Sequence, residues 1–130
     1  MERFNIKGTH SVPEIDFNPE TGEFFIFGRL ISVNGEEYKS FRPLLDWVAQ
    51  YAENPSLKTV LDIDLEYCSS GGTKLLFQLF KVFENMHLQN RDVLIVWHYF
   101  TDDEDSLEKG YQFQKLLKVP IQIKAHTNRN

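Results

Sequence analysis

Leu61, Ile63, Leu65 and Tyr67 alternate with Asp62, Asp64 and Glu66. A period of two predicts a strand with one face on a core and the other in water. Directly downstream, Leu75, Leu76, Leu79, Phe80, Phe83 and Met86 recur at helical spacing, which predicts a helix with one apolar stripe. The junction between them is Ser69-Ser70-Gly71-Gly72-Thr73. Upstream, short strands are predicted over 4–6, 14–17 and 23–29, and the turn-forming Asn18-Pro19-Glu20-Thr21-Gly22 joins the last two into a hairpin. Leu44, Trp47, Val48 and Tyr51 predict a first helix over about 40–54, with Pro43 in its first turn and Asn54-Pro55 as its stop. The continuous apolar run Val93-Leu94-Ile95-Val96-Trp97 predicts a central strand, covered more fully than its neighbour. A third helix over about 103–117 and an edge strand near Pro120-Ile121-Gln122-Ile123 complete the pattern.

Strands alternating with helices imply an α/β fold. The expected architecture is a single-domain mixed sheet: an antiparallel hairpin at its N-terminal side, parallel pairing in its second half, and helices mainly on one face. Residues 1–125 form that domain, and 126–130 read as a flexible tail.

Composition narrows the function classes. A chain of 130 residues suits one hydrophobic core without disulfides, and the lone Cys68 cannot form an internal one. The net charge of -5, with no cluster of Lys and Arg, argues against a general nucleic-acid binder. No apolar run reaches membrane-spanning length, and Met1-Glu2-Arg3-Phe4-Asn5 lacks a secretory apolar core, so a cytoplasmic location and no membrane partner are expected.

Ser69, Ser70 and Thr73 sit where a hydroxyl would cap the following helix. The same geometry suits a phosphorylated hydroxyl, because free N–H groups and the positive helix end stabilise an anion. Gly71 and Gly72 are expected to leave that backbone uncovered for a kinase or partner. A phosphate there is expected to be held by the helix amides and to add charge beside Asp62, Asp64 and Glu66. Gly71-Gly72-Thr73-Lys74 is not a nucleotide-binding loop, lacking the earlier Gly and the Gly-Lys-Ser/Thr order. Asp102-Asp103-Glu104-Asp105 reads as an N-cap with acidic residues in the first helical turn. A metal-dependent hydrolase built on Asp102, Asp103 and Asp105 is the enzyme alternative; consecutive carboxylates converge poorly on one ion, and the alternating calcium-loop pattern is missing. Cys68 has no adjacent base, and His10, His87, His98 and His126 lack zinc spacing. Trp97-His98-Tyr99 and Phe24-Phe25-Ile26-Phe27 read as core. With no paired nucleophile and base, the chain is expected to be non-enzymatic, without cofactor or metal.

Over nearly its whole length the chain resembles the SiaC family of bacterial biofilm-regulation phosphoproteins. The resemblance is carried by Gly8-Thr9, Val12-Pro13-Glu14-Ile15, Asn18-Pro19-Glu20-Thr21-Gly22, Gly28-Arg29, Phe41-Arg42-Pro43-Leu44, Trp47 and Tyr51. Later come Leu65-Glu66-Tyr67, Lys74, Trp97-His98-Tyr99, the Asp102–Asp105 cluster and Gly110. It implies a fold similar to STAS-like anti-sigma-factor antagonists and a partner-switching pathway. In such pathways a histidine-kinase-fold Ser/Thr kinase phosphorylates the protein, a PP2C-type phosphatase restores it, and the unphosphorylated form stimulates a diguanylate cyclase that makes cyclic di-GMP. Lys74 keeps the register of the family's phosphoacceptor segment and puts Ser70 at the acceptor position, with Ser69 and Thr73 as alternatives. The implied partner-binding surface comprises Ser69, Gly71, Gly72, Thr73, Lys74, Asp102 and Asp103. Two stretches depart from the family pattern. One is Cys68-Ser69-Ser70-Gly71-Gly72-Thr73, where an aromatic residue followed by Asn-Thr-Ser-Ser-Ser is expected; the other is Leu30-Ile31-Ser32-Val33, where Ser-Tyr-Pro-Glu is expected. The competing reading is a constitutive adaptor of the same fold, in which Ser70 only caps the helix and docking uses the face of that helix.

Overall fold

The computed structural model describes residues 1–32 and 36–127. Val33 of the divergent Leu30–Val33 stretch and residues 128–130 of the expected tail lie outside them. The elements run β1 (Phe4–Ile6), β2 (Glu14–Asn18), β3 (Glu23–Leu30), α1 (Glu36–Tyr51), β4 (Lys58–Cys68), α2 (Ser70–Leu88), β5 (Asp92–Phe100), α3 (Glu104–Leu116) and β6 (Ile121–His126). The strands form one six-stranded sheet in chain order, β1-β2-β3-β4-β5-β6. β1, β2 and β3 pair antiparallel because short turns join them. β3 through β6 pair parallel, each step bridged by a helix. Right-handed crossovers that all advance in one direction deliver every helix to the same side of the sheet.

Between that side and the helices lies one core, whose strand members come from β2 to β5: Ile15, Phe17, Phe24, Ile26, Leu61, Ile63, Leu65, Val93, Ile95 and Trp97. Aromatic rings set its spacing. Phe17 stacks on Phe24 at 4.4 Å between centroids, Trp47 stacks on Tyr51 at 5.6 Å, and Phe24 meets Tyr51 and Phe83 edge-on. The phenol of the buried Tyr51 is satisfied: its hydroxyl accepts from the Ser56 N–H at 3.0 Å and shares a hydrogen bond with the buried Thr59 hydroxyl at 2.8 Å.

Several expectations need correction. α1 begins before residue 40, so Pro43 lies inside the helix and not in its first turn. It is exposed, and the Lys39 carbonyl that it deprives of a helical donor is on an exposed residue open to water. Only Phe24 and Ile26 of the Phe24–Phe27 run are core; Phe25 and Phe27 point to the opposite side of β3 and are exposed. The alternation of β4 holds through Leu65 and then slips, leaving Tyr67 exposed and Cys68 buried. The cause is a register shift in which Gly28 faces Leu65 while Arg29 faces Tyr67, so Glu66 is an extra residue in the ladder. His126 belongs to β6, opposite Phe100, and not to a loose tail.

One buried charge ties helix to helix. The Glu84 carboxylate, on α2, accepts from Lys81 Nζ at 2.7 Å and from the Lys118 N–H just after α3 at 2.6 Å. These bonds hold its pKa below the usual carboxylate range, the Lys81 contact most of all. A depressed folded-state pKa gives stability that is fully present above the unfolded value of about 4.3 and is lost as pH falls through the lower folded value. Glu84→Gln is therefore expected to lower stability at neutral pH and to flatten the acid limb of a stability–pH profile measured by urea unfolding.

Candidate functional site

The slip at Glu66 decides how β4 hands over to α2. It puts the Cys68 side chain into the core and leaves Ser69 at the helix cap, with backbone angles of -70° and 168°. The Ser69 hydroxyl accepts from the Gly72 N–H at 3.0 Å, the usual N-cap bond. It also accepts from the Ser32 N–H, 37 residues away, at 2.9 Å. The Ser69 N–H in turn donates to the Leu30 carbonyl at 3.0 Å. The exit of β3 is thus tied to the N-terminus of α2 from both sides of Ser69.

That tie explains the glycines. A Cβ on Gly71 would stand 2.5 Å from the Ser32 carbonyl oxygen, and one on Gly72 would stand 2.8 Å from the Leu30 carbonyl oxygen. The expectation that Gly71 and Gly72 leave backbone uncovered is therefore wrong: Gly72 is buried, and the Leu30–Ser32 segment lies against both. The sequence signal was present as a glycine pair at a helix start, but its cause comes from residues about forty positions earlier.

The three hydroxyls then separate by environment. Ser69 Oγ is engaged twice and half-buried. Thr73 Oγ1 donates to the Ser69 carbonyl at 3.0 Å and contacts Cys68 Sγ at 3.6 Å. Ser70 is exposed at the first helical position, and its hydroxyl makes no hydrogen bond among the described residues. The cap is Ser69, so the adaptor reading in which Ser70 caps the helix does not describe this junction. The Ser70 and Gly71 N–H groups open the helix without intrahelical acceptors, since the first helical bond is Thr73 N–H to the Ser69 carbonyl at 2.8 Å.

The remaining expected residues fall around this corner. Lys74 is exposed one turn beyond Ser70, at the head of a groove of about 400 Å³ between α2 and α3 lined by Thr73, Lys74, Phe77, Gln112, Phe113 and Leu116. Asp103 caps α3, accepting from the Ser106 N–H at 3.0 Å, with Glu104 and Asp105 in its first turn. It lines a small cavity of about 100 Å³ together with Tyr67, Cys68 and Lys109. Lys109 Nζ donates to the Cys68 carbonyl. Burial pushes the Cys68 thiol pKa up, against weaker opposing effects of Thr73 and Lys109, so it is a protonated packing group. Asp102 is exposed in the β5–α3 turn and lines neither cavity. Asp62 and Asp64 lie on the sheet face opposite the helices, away from Ser70; Glu66 alone of that acidic trio sits by the corner, 3.9 Å from Arg29, whose guanidinium covers the Tyr67 ring at 5.5 Å. No group of three or more His, Cys, Asp or Glu that could hold a metal ion occurs among the described residues.

With this geometry in hand, comparison with known proteins is specific. The model of the SiaC family regulatory phosphoproteins matches residues 6–126. An uncharacterized protein of Pseudomonas aeruginosa strain UCBPP-PA14 is 27% identical over 126 residues, covering 97% of this chain and 98% of its own. The crystal structure of apo-SiaC from Pseudomonas aeruginosa superposes with a TM-score of 0.84 at 26% identity, over 96% of this chain and 100% of that one. SiaC in the crystal structure of the diguanylate cyclase SiaD with its activator SiaC, also from Pseudomonas aeruginosa, gives 0.85 at 27% identity, over 95% and 99%. The architecture read from the sequence, a mixed α/β single domain, agrees with these structures.

The junction makes a direct prediction. Ser69→Ala removes the cap and orphans the Ser32 N–H, and is expected to cost about 1–3 kcal/mol in urea unfolding. Ser70→Ala is expected to stay within about 0.5 kcal/mol of wild type, as for an exposed position away from a cap.

Proposed function

The chain belongs to the SiaC family of regulatory phosphoproteins, and from that premise we propose that it is a non-enzymatic partner-switching protein whose phosphoacceptor is Ser70. The observation that carries the choice is the division of labour at the α2 N-terminus: Ser69 and Thr73 are bound into the junction, and Ser70 presents an uncommitted hydroxyl to solvent. A histidine-kinase-fold Ser/Thr kinase transfers the γ-phosphoryl group of ATP to Ser70 Oγ as the hydroxyl proton leaves. A PP2C-type phosphatase returns the serine by hydrolysing the ester with water to inorganic phosphate. ATP and metal belong to those partners.

In the unphosphorylated form the chain binds and stimulates a diguanylate cyclase, as the solved SiaD complex with its activator SiaC suggests for a relative of this fold. The docking surface on this reading runs from Ser70 over Lys74 into the α2–α3 groove, where Phe77 and Leu116 offer apolar contact. Asp103 frames its other side across the neighbouring cavity, and Asp102 stands exposed in the adjoining turn.

A phosphate brings about -1.5 to -2 charges to the rim of that surface. The free Ser70 and Gly71 amides and the positive helix end stabilise it, and Lys74, at i+4, can draw it along the helix. The acquired charge and the diverted Lys74 both work against a partner that fits the neutral form. With the purified chain and cyclase, Ser70→Ala is expected to bind and stimulate like unphosphorylated wild type, and Ser70→Asp to bind at least about tenfold more weakly, a loss of about 1.4 kcal/mol. Equal affinity of all forms, including wild type phosphorylated on Ser70, would leave a constitutive adaptor.

A further inference from the structure

The sheet face opposite the helices carries a feature that the Ser70 switch does not use. Parallel sheets are as a rule covered on both faces, yet here β3 to β6 pair parallel and, among the described residues, the helices pack against one face only. On β3, Phe25 and Phe27 project outward two residues apart and are 40% and 45% exposed. The register places carboxylates on both sides of these rings. Asp16 and Glu14 oppose Phe25 and Phe27 from β2, while Asp62 and Asp64 oppose them from β4. The outer side chains of β5 and β6 continue the face: His98 Nε2 lies 2.7 Å from Asp62 Oδ1, and its Nδ1 lies 2.7 Å from His126 Nε2. Phe25, Phe27, Asp62, Asp64, His98 and His126 line a shallow depression of about 350 Å³. Arg3 pairs with Asp16 at 2.6 Å, and β6 places Lys124 opposite His98 on the same face.

We propose that this face docks a cationic, apolar segment of a partner protein, with Leu- or Val-like side chains over the rings and Arg or Lys side chains reaching the flanking carboxylates. Charge complementarity selects that occupant: phenyl faces attract guanidinium groups as well as alkyl chains, and the carboxylates on either side favour the same sign of charge. A second copy of the chain would set the same carboxylates against each other. Because the face lies on the other side of the sheet from α2, binding here is independent of Ser70 and gives the molecule a constitutive docking site beside its switched one.

The test is titration of the full chain with a synthetic peptide alternating Arg and Leu, read by amide NMR shifts, with the Glu-Leu peptide as control. The expected result is saturable binding by the Arg-Leu peptide, with shifts confined to the outer residues of β2 to β6. Phe25→Ser/Phe27→Ser is expected to weaken it about tenfold or more, Asp64→Asn to weaken it by less, and Ser70→Asp to leave it unchanged. All three variants change residues outside the core, and matching thermal melts confirm their fold. Shifts elsewhere, equal binding of the Glu-Leu peptide, or undiminished affinity in the double Phe variant would overturn the proposal. So would a dimer in sedimentation equilibrium that the double Phe variant dissolves.

Discussion

The Ser69 hydroxyl accepts N–H bonds from two segments that are far apart in sequence, Gly72 at the start of α2 and Ser32 at the exit of β3. Both donors are backbone groups at chain ends of regular elements, which without a partner would cost about 1–3 kcal/mol each when shielded from water. One side-chain oxygen therefore fixes where the central helix begins and where the third strand lets go. Everything distinctive about the corner follows from that closure. Gly71 and Gly72 are needed because the Leu30–Ser32 backbone comes too close for a Cβ, Thr73 is drawn back onto the Ser69 carbonyl, and Ser70 is the hydroxyl left facing solvent.

The two stretches that depart from the expected family pattern, Leu30–Val33 and Cys68–Thr73, are joined through their described residues by this same contact. Small side chains on one stretch and a closely approaching backbone on the other are two sides of one packing solution. On the phospho-switch we propose, an acceptor on such a corner would present a kinase with a different surface from one built with bulkier residues there. The shift in β4 register at Glu66 contributes to the same end, turning Tyr67 outward beneath Arg29 and Cys68 inward beneath the helix start.

Much of this fold was legible because burial imprints its period on the chain. The alternation from Leu61 to Leu65 and the stripe from Leu75 to Met86 each have one satisfactory structural answer, and the hairpin was marked by Asn18–Gly22. What escaped was non-local. Nothing within β4 announces the extra residue at Glu66, since a bulge is a relation to β3. Hydrophobicity alone marks Phe25 and Phe27 as core, although the period of two that puts Phe24 and Ile26 inside puts them outside. The place of His126 in β6 has no local signal, since it is held there by pairing with Phe100 and by the hydrogen bond to His98. At the site itself, a hydroxyl-rich helix start was visible, but which hydroxyl caps and which is free depends on Ser32.

The central claim is that this closure leaves Ser70, and neither of its neighbours, available for phosphoryl transfer. Phosphosite mapping by fragmentation mass spectrometry tests it most directly, on the purified wild-type chain and on Ser70→Ala after incubation with the histidine-kinase-fold kinase and ATP. The account predicts a single phosphate on Ser70 in the wild type and none in the variant; phosphate on Ser69 or Thr73 of the wild-type chain would contradict it.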